Sequence, residues 1–150
     1  MHLTPGVLVG CGGAADPQVD EALLEPLSAL GECPPLPSPM PDAAEVTGLV
    51  LPEGSVVTAV TVTDPVTTVQ GWIPLTPIQV RVDYAGRADL EVLSVEDEVW
   101  ESEVLATDGT TRLFVKSRAA CADASMFVAV IAPEDAADAV PTPAGSPLAD

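Results

Sequence analysis

Three cysteines, one histidine and a short run of acids are the side chains here with chemistry to offer. Cys11, Cys33 and Cys121 stand far apart and form no C-x-x-C pair, which excludes zinc ribbons and thioredoxin-type redox centres. The single histidine is His2. The body of the chain therefore has no imidazole for proton transfer, for Ser-His-Asp or Cys-His nucleophilic pairs, or for metal binding. No G-x-S-x-G, phosphate loop or G-x-G-x-x-G occurs. Gly10-Cys11-Gly12-Gly13 lacks both the preceding strand and the lysine that a phosphate loop uses. The expectation is a protein with no catalytic residues and no cofactor, hence not an enzyme.

The densest polar stretch is VEDEVWESEV, which holds Glu96, Asp97, Glu98, Glu101 and Glu103. Carboxylates this close could supply oxygen ligands to Ca²⁺ or an acid/base pair, but the D-x-D-x-D-G spacing of a calcium loop is missing. Glu101 and Glu103 alternate with Trp100, Ser102 and Val104, so they read as the solvated face of a strand, and Glu96 to Glu98 as a charged turn. The cluster stands as a candidate cation site beside an expectation of no metal. All positive charge lies on Arg81, Arg87, Arg112, Lys116 and Arg118. Arg112, Lys116 and Arg118 share parity and so one strand face; they are expected to pair with the acids of the preceding strand, with a small anion patch as the alternative. Trp72 and Trp100 read as plugs at the edge of a small core, or else as marks of an exposed ligand face.

Leu8-Val9-Gly10-Cys11 resembles the lipobox of bacterial lipoproteins, in which an apolar residue and two smaller ones precede the cysteine that takes the lipid. In that family a peptidase cuts before the cysteine, and its sulfur carries diacylglycerol. The resemblance implies that Cys11 is a lipidation site. It also implies that Gly12 to Ala15 form a flexible tether, and that the protein is extracytoplasmic, on the outer face of the bacterial cell membrane. MHLTPGVLVG reads as a truncated signal-like leader. A full signal has a basic start and an apolar stretch of about 7–15 residues, whereas these residues hold no Lys or Arg and carry Pro5. Setting Cys11 aside leaves Cys33 and Cys121 as an even pair that could close a disulfide in an oxidising compartment. The general layout is similar to that of small envelope lipoproteins of high-GC bacteria or their phages. The alternative is a soluble secreted or cytosolic interaction protein, an inhibitor or assembly component, without lipid.

The formal net charge is −18, from 23 acids against 5 bases. Such a chain repels phosphate backbones and anionic lipid surfaces. Nucleic acid is not an expected partner, and the membrane is expected to be met only through lipid on Cys11. An unknown protein partner remains. No stretch approaches the roughly 18 apolar residues of a membrane span.

The elements that position these residues follow from local pattern. Asp16-Pro17 with Val19, Leu23, Leu24, Leu27 and Leu30 predicts a short amphipathic helix that Pro26 kinks and Gly31 stops. CPPLPSPMP, with five prolines, predicts an extended strap. SVVTAVTVT and VTTVQGWIPL predict two strands joined at Asp64-Pro65. Thr76-Pro77 signals a helix start, although IQVRVDY also alternates as a strand does. LEVLSVE, VWESEVLAT and TTRLFVKSR predict strands, with a hairpin at Asp108-Gly109. The continuous apolar run MFVAVIA predicts a central, buried strand. The expected fold is α+β: a mostly antiparallel sheet of five or six strands with one helix packed on a face (strand-strand-helix-strand-strand-strand) and an extended Pro-rich N-terminal strap. The expected divisions are a leader at 1–10, a tether at 11–15, a helix and Pro-rich strap at 16–53, an α+β domain at 54–132, and a disordered tail at 133–150 with at most one helical turn in EDAADAV.

Overall fold

A computed structural model describes residues 21–41 and 46–143. The leader, Cys11, the tether and the helix start at Asp16-Pro17 lie outside the described residues.

Six strands form one antiparallel sheet: β1 (Val56–Thr63), β2 (Val66–Ile73), β3 (Glu91–Asp97), β4 (Glu101–Thr107), β5 (Thr111–Cys121) and β6 (Ala124–Pro133). Their spatial order is β1-β2-β6-β5-β4-β3. β3 to β6 run as a meander of successive neighbours, and β6 then slots against β2. The hairpin between β1 and β2 turns at Asp64-Pro65, where the peptide bond is cis. The turn between β4 and β5 uses Gly109 at φ +93°, a left-handed conformation in which glycine carries no Cβ penalty. Asp108 accepts from the backbone N–H groups of Thr110 and Thr111 at 2.8 and 2.7 Å, and those two bonds hold its carboxyl below the usual range.

The longest helix among the described residues, α2 (Pro77–Ala85), connects β2 to β3. Its start resolves the ambiguity of IQVRVDY. The Thr76 hydroxyl accepts from Gln79 N–H at 3.3 Å, the Gln79 side chain accepts from Thr76 N–H at 2.9 Å, and Pro77 opens the first turn. This capping box satisfies two backbone donors and favours the helix over a strand. The helix buries Val80 and Tyr84 on a core of Val69, Ile73, Val104, Ala106, Leu113, Val115, Phe127, Ala129 and Ile131. Met40, Val46, Leu49, Val50 and Leu51 pack against the same core. Two hydrogen bonds fix that segment: Met40 N–H to Val57 C=O at 2.9 Å and Tyr84 O–H to Val50 C=O at 2.6 Å. Burial pushes the Tyr84 hydroxyl pKa strongly upward, so it remains a donor.

Before β1, α1 (Glu21–Leu24) is one turn that tightens into a 3₁₀ helix at Glu25–Leu30, with Pro26 in its first turn. Leu27 is fully buried. Just beyond it, Cys33 is joined to Cys121 at the end of β5, with the Cα atoms 5.1 Å apart. Ala122 N–H donates to Gly31 C=O at 3.0 Å beside the bridge.

Two expectations need correction. MFVAVIA is central but not buried on both faces: Phe127, Ala129 and Ile131 enter the core, whereas Met126 and Val128 are 53% and 38% exposed. The expected disordered tail is packed over its first part. Pro133 closes β6, 3₁₀ turns kinked at Ala136 span Glu134–Ala139, and Val140 is buried with Leu105, Phe114 and Ala132. Val140, with Ala136 beside it, anchors what composition read as solvent-loving.

Candidate binding face

Successive side chains of a strand point to opposite faces, so the face turned away from α2 carries Gln70 and Trp72 from β2, and Met126, Val128, Val130 and Ala132 from β6. β5 adds Arg112, Phe114, Lys116 and Arg118, and β4 adds Glu101, Glu103, Leu105 and Thr107. The two ends of this face differ. One end is covered by the Glu134–Ala139 helix and Val140. The other end is open.

Glu134 clamps the covered end. Its carboxylate accepts from Arg112 Nε at 2.9 Å and Nη2 at 2.8 Å, a two-point contact, and also from the Thr107 hydroxyl. The Arg112 guanidinium, and after it the Thr107 hydroxyl, holds the Glu134 carboxyl below its ordinary value of 4.5. A depressed folded-state pKa adds stability that is fully present above the ordinary value and lost as pH falls through the lowered one. Glu134→Gln is expected to lower unfolding stability by about 1–2 kcal/mol at neutral pH. Urea midpoints of the two proteins should converge as pH falls below the ordinary carboxyl range; a gap that persists in acid would contradict this.

The open end holds a shallow groove of about 400 Å³ lined by Thr58, Gln70, Gly71, Lys116, Arg118, Met126, Phe127 and Val128. Gly71 and Phe127 send their Cβ positions to the opposite face, so they give backbone to the floor. Trp72 lies opposite Met126 in register, on the same face. Met126 supplies a flexible, polarisable contact that adapts to different partners. The cations sit at the β5 side. Lys116 Nζ lies 3.3 Å from Glu103 and 3.6 Å from Glu101, and Arg118 Nη2 lies 2.9 Å from Glu101. The register places Glu101 opposite Arg118 and Glu103 opposite Lys116, the cross-strand pairing that parity predicted. The Arg118 guanidinium, with Lys116 behind it, holds Glu101 below the usual carboxylate range.

The acidic cluster of the sequence is thereby divided. Glu101 and Glu103 pair with β5. Glu96 lies opposite Glu103 on β3. Asp97 bonds Arg81 of α2 at 3.1 Å on the other face. Glu98 closes the hairpin, its N–H on Glu101 C=O at 2.7 Å. Among the described residues, no group of three or more His, Cys, Asp and Glu side chains is gathered as a metal site. Trp100 is exposed at this hairpin turn, away from the groove lining. Arg112, grouped with Lys116 and Arg118 by parity, shares their face but serves the covered end.

Sequence reasoning missed Thr58, Gln70, Met126 and Val128 as a shared surface. In a run as uniformly apolar as MFVAVIA, period two leaves no mark, so the exposed half cannot be told from the buried half.

No protein-family model matches this sequence, and no curated protein or solved structure is found to be similar to it.

Proposed function

We propose that this chain is a non-enzymatic, lipid-anchored protein of the cell envelope whose disulfide-stapled domain binds another protein through the open end of its sheet. The observation that carries the reading is the assignment of the cysteines. The disulfide takes Cys33 and Cys121, and the third cysteine is Cys11, in the lipobox-like Leu8-Val9-Gly10-Cys11. A stable disulfide favours an oxidising compartment, where such an anchor has its use. The groove supports the binding role. It combines exposed Met126 and Val128 with Gln70, Thr58 and the Lys116 and Arg118 pairs, a mixture of apolar and hydrogen-bonding groups suited to a protein surface.

In this reading the prolines between Cys33 and Pro41 form a stiff strap that carries the chain from the disulfide to the β1 edge, where Met40 is tied to Val57. Proline fixes φ and so limits how far such a segment can collapse.

Intact-mass spectrometry of the protein recovered from the cells that make it, with and without reductant, tests the proposal. The expected result is a chain starting at Cys11 that carries a diacylglyceryl group and gains two hydrogens on reduction. An unmodified Cys11 would overturn the anchor and favour a soluble interaction protein.

A further inference from the structure

We propose that the outward ridges of the strap between Cys33 and Met40 are a ligand for a partner protein whose groove is lined by aromatic rings and rimmed by basic residues. Every residue from Cys33 to Met40 is either a proline or stands immediately before one. Proline fixes its own φ and pushes the residue before it to an extended ψ, so this segment has one backbone form open to it, polyproline II. No helix or strand interrupts residues 31–40, and burial follows the threefold repeat of that form. Cys33 and Leu36 are half-buried, whereas Pro34, Pro35, Pro37 and Ser38 are exposed. One ridge therefore rests on the domain and two face outward.

A brace needs only the inward ridge; the outward ones are organised as a ligand before any partner arrives. The strap is tied at both ends, by the bridge from Cys33 to Cys121 and by Met40 N–H on Val57 C=O at 2.9 Å. Its ordering entropy is thus lost on folding and not on binding. Among the described residues, no donor meets the carbonyl groups of Pro34 to Ser38, which leaves a row of acceptors beside apolar proline rings. The complement of such a surface is a set of aromatic rings that pack on the prolines while a Trp N–H or Tyr O–H donates to the carbonyls. Charge gives the direction of docking. Glu32 and Asp123 are exposed at the Cys33 end, where Asp123 N–H donates to Cys33 Sγ at 3.3 Å, and no Lys or Arg precedes Arg81 in the chain. Acids at one end of a polyproline helix call for cations on the matching rim of the groove. The strap shares no residue with the lining of the open groove, so this inference goes beyond the binding role given to that face and does not rest on it.

Isothermal titration calorimetry of the full chain carrying Cys11→Ser, with the bridge intact, tests the inference. The probes are two isolated WW-type domains, modules whose aromatic groove receives polyproline II, one with a basic and one with an acidic groove rim. The expected result is one-to-one binding of the basic-rimmed domain with Kd below about 1 mM, and binding at least about tenfold weaker to the acidic-rimmed one. Pro34→Ala combined with Pro37→Ala should weaken binding by at least about tenfold, because it strips the rings from one ridge. Both positions are exposed, and an unchanged urea midpoint shows that the fold is kept. Val128→Lys, on the open face, should leave the affinity unchanged. No binding of the basic-rimmed domain at about 1 mM would overturn the proposal, as would equal affinity for the two rims. So would binding that the double proline substitution leaves intact or that Val128→Lys abolishes.

Discussion

Replacing Cys33 with serine lowers the unfolding free energy by about 4 kcal/mol and steepens the urea transition. The bridge joins residues 88 apart in sequence, and in the chain-entropy treatment a loop of that size is worth roughly 4–5 kcal/mol, less any native strain. Set against the 5–15 kcal/mol typical of a whole domain, this is a large fraction. The steepening follows because an uncrosslinked unfolded chain expands and exposes more surface to urea. The local effect adds to it. Gly31 and Cys33 lie against the end of β5, and the fully buried Leu27 depends on the segment being held there. Urea melts of Cys33→Ser and of the reduced parent should agree. A loss below about 1 kcal/mol would mean that the unfolded chain retains compact structure without the bridge.

The second large effect is expected at Gly71. A methyl group built there would overlap Val56 C=O and lie 2.9 Å from a ring carbon of Phe127. The oxygen belongs to backbone beside the β1 bulge, so no side-chain rotation relieves the clash; β1 would have to move off β2. Gly71→Ala is therefore expected to cost about 3 kcal/mol, the upper range for overpacking a well-packed site. Gly109→Ala is the internal comparison. It meets open space but sits at φ +93°, so it is expected to cost only about 1 kcal/mol. Thermal unfolding of the two variants checks the order; Gly71→Ala no worse than Gly109→Ala would mean that the two strands separate readily at the bulge.

The parts of this fold legible in the sequence are those set by neighbouring residues. Thr76-Pro77 with Gln79 specifies a helix start through its own capping bonds, Asp108-Gly109 specifies a hairpin, and the parity of Arg112, Lys116 and Arg118 specifies a shared face. The Cys33–Cys121 bridge was reachable by counting thiols once Cys11 was set aside. What distance decides was not legible. Nothing local in MFVAVIA tells which alternate residues α2 and the 46–51 segment cover, and so the groove stayed hidden. Nothing local in EDAADAV announces that Glu134 meets Arg112 across 22 positions and that Val140 reaches Leu105 and Phe114. The acidic run looked like one cluster because its members are close in sequence; a strand, a turn and a second strand then dealt them to different neighbours.

The position of β6 has a consequence in time. It is the last strand among the described residues, yet it stands between β2 and β5, joining the first hairpin to the β3–β5 strands in the sheet. Until Ala124–Pro133 has emerged, the two halves have no shared ladder, and the core residues Phe127, Ala129 and Ile131 that both halves need do not yet exist. A chain that is being synthesised or threaded from its N-terminus thus remains two incomplete pieces until β6 follows β5, and becomes a single sheet only then.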